Sequence, residues 1–572
     1  MESKTETPFS LLEEFKTPTM EQWMALARSQ LKGASFEEVL VSGTPEGIPR
    51  QPIYTAKDLD TLGITIPDPG EFPYIRGTAA SKYFPQSCKT GIRLNGNSPL
   101  ALNRLLKSLP EREETLLYLN PVFGKTDELP QNAVSGGVLL RNPESLAELL
   151  RDINVKSCTF CLDAGEKTFA YWGLLISYFR EHGIVPDEVR GSVIHDPYSF
   201  VLLQEGRHDI DGYWRRASSL LEWSRKQAPR WSVLGVDGRV YHECGGHIVQ
   251  ELAYSLASAV ESIRELTQRG FSADDVIQQI HFNFAIGSDF FMEIAKLRAL
   301  RSLWAHIVEA YTADYKEDLG IHSFSSRWNK TWYAPHVNIL RTTTEALSAL
   351  FGGADAVFLD AFDFLTDESN PLSNRLAQNI PYILNEEGFC NTVLDPVGGS
   401  WMVESLTHQL GERAWSLFQE VEKEGGIAEA IQKGVVQSQI ESGAQRKRSA
   451  IREERKVSVG SNQFEDLSEV PKEILKRETD PAEPTEKRWE QERALSKVSN
   501  EIAAGYRTEQ PNPNLFDSVI AAFQTGVAVD DINLKLVDRV MDAKAKFIIN
   551  NHPLRMQRAT EEVEQQRKRG RL

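Results

Sequence analysis

Five cysteines in 572 residues are too few for a disulfide framework. No uninterrupted apolar run reaches the length of a membrane span. The opening stretch MESKTETPFSLLEEF carries neither a charged-then-apolar signal nor an Arg-rich transit pattern, so the reducing cytoplasm is the expected location. Positive charge is in deficit: 64 Lys and Arg face 81 Asp and Glu, for a formal charge of -17. Such a surface repels a phosphate backbone, which argues against nucleic acid as a partner. Cys158 and Cys161 form a single CxxC inside the strand-like run KSCTFCLD. With no second pair to complete a zinc site, they read as buried free thiols, and no metal is expected.

What is present is ordinary for a folded chain: 41% hydrophobic and 25% charged residues. Residues 1–70 hold one amphipathic stretch, Met20 to Lys32, and a Pro- and Gly-punctuated segment, and read as an arm. Beyond it, short β-rich runs alternate with long helical patterns, the signal for repeated βα units around a parallel sheet. The strand candidates are ETLLYL, GGVLL, SCTFCLD, GSVI, SVLGVD, IHFNFA, IHSFS and DAVFLDA. Between Gly246 and Gly270, Val249, Leu252, Leu256, Val260 and Ile263 recur on one helical face. A second helix is expected from Ser288 as N-cap, carrying Phe291, Ile294, Leu297 and Leu300. These alternations predict an α/β fold, a closed (β/α)8 TIM-type barrel over 71–434, with a doubly wound open sheet as the alternative. Apolar periodicity thins after Gly434, so 435–490 reads as a linker, its stretch Pro471 to Glu490 rich in charge and proline. Residues 491–572 read as a helical C-terminal extension.

Three stretches, NFAIGSDFFMEIAKLRALRSLW, RWNKTWYAPHVNILRTTTEALSALFGGADAV and DPVGGSWMVESLT, closely resemble the methylmalonyl-CoA mutase family. PGEFPYIRG extends the match upstream, and WNKT, LRTTTEA and DPYSFVLLQEG resemble the small-subunit branch. The resemblance implies carbon-skeleton rearrangement of acyl-CoA thioesters, with adenosylcobalamin carrying the radical chemistry. It also implies site residues, position by position. Tyr83, nine residues after Tyr74, matches the tyrosine that lies against substrate and corrin, and His322 in IHSFSSRW matches a substrate-contacting histidine. Other positions depart from the family's catalytic pattern. Aligned on Gly238, Arg239 and Val240 stand where catalytic chains carry a Tyr-His pair, Ile194 stands for a glutamine, and Phe324 for another. A register shifted by two residues would use Tyr241 and His242 instead.

Cobalamin in this family rests on a flavodoxin-like domain with an Asp-x-His-x-x-Gly loop, and that sequence does not occur here; past Gly434 the only histidine is His552, in INNHPLRMQ. The resemblance therefore implies a non-catalytic small subunit that binds no cofactor alone. Its partner would be a catalytic large subunit carrying adenosylcobalamin. The alternative is the substrate-binding component of a two-component mutase whose cobalamin domain is a separate chain. Binding of acyl-CoA stays open under both.

Overall fold

The computed structural model describes residues 18–78, 88–96, 98–108, 115–121, 137–204, 206–312, 319–366, 370–466, 468–469, 488–508, 512–538, 547–549 and 553–568. Eight parallel strands close into a barrel. In chain order they are β1 (Lys89–Arg93), β2 (Thr115–Leu119), β3 (Cys158–Asp163), β4 (Arg190–Ile194), β5 (Trp231–Asp237), β6 (Ile280–Ile286), β7 (Gly320–Ser325) and β8 (Ala356–Phe358). Closure is direct: β8 pairs with β1 through Lys89 opposite Ala356 and Gly91 opposite Phe358. The open-sheet alternative is thereby excluded.

Seven of the eight sequence runs lie on these strands. GGVLL does not: Val138 makes only isolated bridges, to Gly96 and Pro121. The missing member is KTGIR, whose Lys, Gly and Arg have little strand propensity by themselves. Gly91 is needed there because a Cβ would fall 2.1 Å from the Phe358 ring, which fills the lumen from β8.

Two cores result from the strand alternation. Residues pointing outward join one large cluster with the surrounding helices, while Leu116, Tyr118, Cys161, Ile194, Phe324, Ala356 and Phe358 pack separately inside the barrel. The expected helices are present as Ile248–Gln268 and Phe290–Glu309. The second begins one residue later than expected, with Asp289 as N-cap. The Asp289 carboxylate makes no cap bond because it pairs with Arg50 at 2.9 Å.

Downstream of the barrel, residues 435–452 form a regular helix that buries Val436, Ile440, Ala444 and Ile451, where the thin periodicity suggested a linker. The helix Pro513–Phe523 is tied to the barrel's outer layer. Phe516 stacks on Trp172 at 4.7 Å and meets Trp223 at 5.0 Å, and Val519 sits over Gly173, where a Cβ would be 2.8 Å away. All five cysteines are free, and Cys158 and Cys161 are buried as expected. No helix among the described residues is long and apolar enough to cross a membrane.

Candidate functional site

In eight-stranded α/β barrels chemistry is placed at the C-terminal ends of the strands. Here those ends carry charge. Asp163 ends β3, Asp237 ends β5, Arg93 ends β1, Asp360 lies two residues past β8, and Arg239 and Arg327 follow β5 and β7. The three guanidinium groups and three carboxylates find one another. Arg239 donates to Asp163 and to Asp237 at 2.6 Å each and to the Tyr118 hydroxyl at 2.8 Å, and Tyr118 itself bonds Asp163. Asp360 accepts from Arg93 at 2.8 Å and from Arg327 at 3.0 and 3.1 Å. Beneath this lattice Phe324 and Phe358 stack at 4.7 Å, with the Arg239 guanidinium 4.3 Å above Phe324.

The electrostatics follow from the pairing. Burial alone would raise the Asp360 carboxyl, but Arg327 and Arg93 outweigh it and hold it at about 2. Asp163 is likewise lowered, burial being overcome by Arg239. Arg239 is held protonated more firmly than a free guanidinium, since its carboxylates outweigh the cost of burial. Asp237 is the exception, burial pushing its carboxyl up against the opposing pull of Arg239. A network of paired charges can bind and brace. Asp163 and Asp360, held low by their guanidinium partners, are poorly placed to take up a proton near neutrality.

The structure brings together four of the residues singled out from sequence. Ile194 and Phe324 face the lumen in one apolar cluster, and Arg239 caps them. His322 lies on the same face of β7 as Phe324, two residues earlier, with Nδ1 4.0 Å from the Cys161 thiol and its ring 5.1 Å from His281. Val240 is not part of this group; it is buried in the outer core with the helices, so its missing hydrogen-bonding capacity is not felt in the lumen. In the shifted register, Tyr241 packs on Tyr254 at 5.3 Å and His242 bonds Ser326 at 2.8 Å. Arg239 is thus the residue of this turn that enters the mouth. Tyr83 and His552 lie outside the described residues.

Arg93, Tyr118, Asp163, Asp237, Arg327 and Asp360 were not singled out from sequence. A signal for three of them was present: CLD, GVD and FLD each end an apolar strand run on aspartate, at the position a barrel turns toward its mouth.

Burial drives the His322 imidazole down to about 4, with Arg239 repelling the added charge. The sign follows: its neutral form is favoured by the fold, so this contribution is complete above the ordinary histidine value near 6.5 and is lost as pH falls toward 4. In a histidine-resolved NMR titration the His322 ring should have its midpoint near pH 4. A midpoint at the ordinary value would mean water reaches it freely.

At this level of the lumen His281 Nε2 and Asn283 Oδ1 are buried without a hydrogen-bond partner among the described residues, a polar spot suited to water or to polar ligand atoms. A second concavity, of about 150 Å³, opens at the opposite end beside Arg76, Arg298 and Asp395. Its cations are engaged: Arg76 reaches Asp395 at 3.1 Å, Arg298 meets Glu404 at 2.6 Å, and Arg301 donates to the Gly352 carbonyl at 2.8 Å.

Comparison with known proteins agrees with this barrel. The sequence profile described as methylmalonyl-CoA mutase matches residues 43–542. The chain is 32% identical over 468 residues to the methylmalonyl-CoA mutase small subunit of Porphyromonas gingivalis, covering 80% of this chain and 72% of that protein. It is 32% identical over 486 residues to the protein of the same name from Streptomyces virginiae, covering 83% and 74%. With the methylmalonyl-CoA mutase of Rhizobium meliloti the identity is 30% over 467 residues, covering 80% of this chain but 65% of the relative. This chain belongs to the methylmalonyl-CoA mutase family.

Proposed function

We propose that this chain is the small, non-catalytic subunit of a heteromeric methylmalonyl-CoA mutase, and that its partner carries adenosylcobalamin and performs the isomerisation. One observation carries the reading: Arg239 is spent on Asp163, Asp237 and Tyr118, across the place where a catalytic barrel would present hydrogen-bond donors to a thioester. A carbonyl is polarised by preorganised donors that await it, and a donor locked in ion pairs does not. Ile194 and Phe324, the neighbours of that mouth, have no side-chain hydrogen-bonding group at all.

The residues present do not fit cobalamin on this chain alone. Among the described residues the strand ends carry the aromatic pair and the ion lattice, and neither holds an imidazole free to ligate cobalt. The chain's work in the complex is then structural: it supplies a rigid barrel for the catalytic subunit to pack against. The names of the relatives from Porphyromonas gingivalis and Streptomyces virginiae, both called small subunits, support a heteromeric assembly. His322, retained in the lumen, favours the second reading, a substrate-binding component served by a separate cobalamin chain.

Co-expression with a longer mutase homologue tests the pairing. The expected result is a stable complex on size exclusion with both chains in fixed ratio. Isolation of this chain as a monomer in the presence of that homologue would remove the basis for the reading.

A further inference from the structure

Residues 553–568 run across the loops of the barrel's C-terminal face and are stitched to three of them by backbone bonds. Leu554 N–H donates to the Leu202 carbonyl beyond β4 at 2.8 Å, Gln557 N–H to the Glu243 carbonyl beyond β5 at 3.2 Å, and Ala559 N–H to the Trp328 carbonyl beyond β7 at 2.6 Å. We propose that this segment is a latch, which closes that rim of the barrel from within the same chain and excludes a second domain from docking there.

The latch has a keystone. Glu564 is 1% exposed; its carboxylate accepts from the Trp332 N–H at 2.7 Å and from the guanidinium of Arg558, itself buried. It therefore joins the loop after β7 to the crossing segment through a charge that no solvent shares. Ala559 and Val563 add an apolar contact with Trp328, Ala444 and Ile451, which fastens the segment to the helix Val435–Arg452 as well. At its far end Arg567 lies 4.2 Å over the Tyr333 ring and Lys568 4.8 Å over Trp332. Two cations seated on adjacent aromatics, Arg567 also donating to the Gly460 carbonyl at 3.1 Å, hold the loop 328–334 by both edges.

Each of these contacts engages a loop group that is then no longer open to an incoming domain. Backbone carbonyls at Leu202, Glu243 and Trp328 and the faces of Trp332 and Tyr333 are the adhesive part of this rim, and the chain has consumed them itself. The inference deepens the proposed function and rests on it in one respect: the excluded domain is taken to be one that carries cobalamin. The latch itself stands on contacts alone.

Hydrogen–deuterium exchange on the full chain, with and without the variants Glu564→Ala and Ala559→Pro, tests both parts. In the unaltered protein the amides of Trp332 and Ala559 should exchange at least tenfold more slowly than those of exposed loops, a result that needs no variant. In both variants exchange over residues 328–334 should rise tenfold or more while β6 stays protected. The cobalamin-binding domain of a full-length relative, loaded with adenosylcobalamin and used as a titration probe, should bind the variants and not the unaltered chain. Fast exchange at Trp332 in the unaltered protein overturns the latch. So does unchanged exchange in the variants, or a probe that treats all three proteins alike. Failure of the chain to pair with a mutase homologue would sink the proposed function and leave the exchange result intact.

Discussion

Supplied with methylmalonyl-CoA, adenosylcobalamin and a separately made cobalamin-binding domain, the purified chain is expected to form succinyl-CoA at least ~10⁴-fold more slowly than a complete mutase. The size follows from what is missing, since one lost preorganised donor typically slows carbonyl chemistry by about 10²–10³-fold. On the proposed reading, Ile194 and Phe324 stand where the resemblance implies glutamines, and Arg239, already bound to Asp163 and Asp237, stands where it implies an awaiting donor. Two such losses at the lower bound multiply to that figure if they act independently, and the third is left out because losses within one constellation overlap. Single reversions such as Ile194→Gln should leave the rate low, because Arg239 stays paired with Asp163 and Asp237. Turnover within a hundredfold of a complete mutase, measured by succinyl-CoA formation, would instead establish the two-component reading that His322 favours.

The barrel was readable because seven strands are β-rich runs that alternate with helices, a local property. The eighth was not, since β1 spells KTGIR and owes its place to partners on both sides: Gly91 yields space to Phe358, and Arg93 reaches Asp360, 267 positions away. Periodicity carries no information about such a pair. The mouth illustrates the same division. That Arg239 departs from the family's catalytic pattern was legible, but the destination of its charge was set by Asp163 and Tyr118, 76 and 121 positions away. Val240 shows the reverse error, a substitution that looked as telling as its neighbour until the turn after β5 directed it to the outer core. The latch was the least visible of all. Charged residues such as Glu564 and Arg558 near a basic sequence end read as solvated surface, and only tertiary closure buries them.

Substituting Asp360 should cost more stability than any other single change at the mouth. Its side chain is fully buried and compensates two guanidinium groups, of which Arg93 is 6% and Arg327 15% exposed. Asp360→Ala removes the carboxylate that Arg93 and Arg327 share, and breaking one buried pair from one side costs about 3–5 kcal/mol. Asp360→Asn keeps the shape and one acceptor, so the difference between the two variants isolates packing from charge. The pH dependence gives an independent reading. A carboxyl held at about 2 in the folded state, against about 3.9 when unfolded, contributes stability that is complete above pH 4 and vanishes as pH falls toward 2. By that shift the charge accounts for roughly 2–3 kcal/mol of the total. In urea unfolding experiments the gap between the natural protein and Asp360→Asn should therefore hold constant from pH 7 to 4 and narrow below it. A gap that ignores pH would mean that Arg93 and Arg327 are satisfied by other groups, and that the lattice is not what keeps the mouth closed.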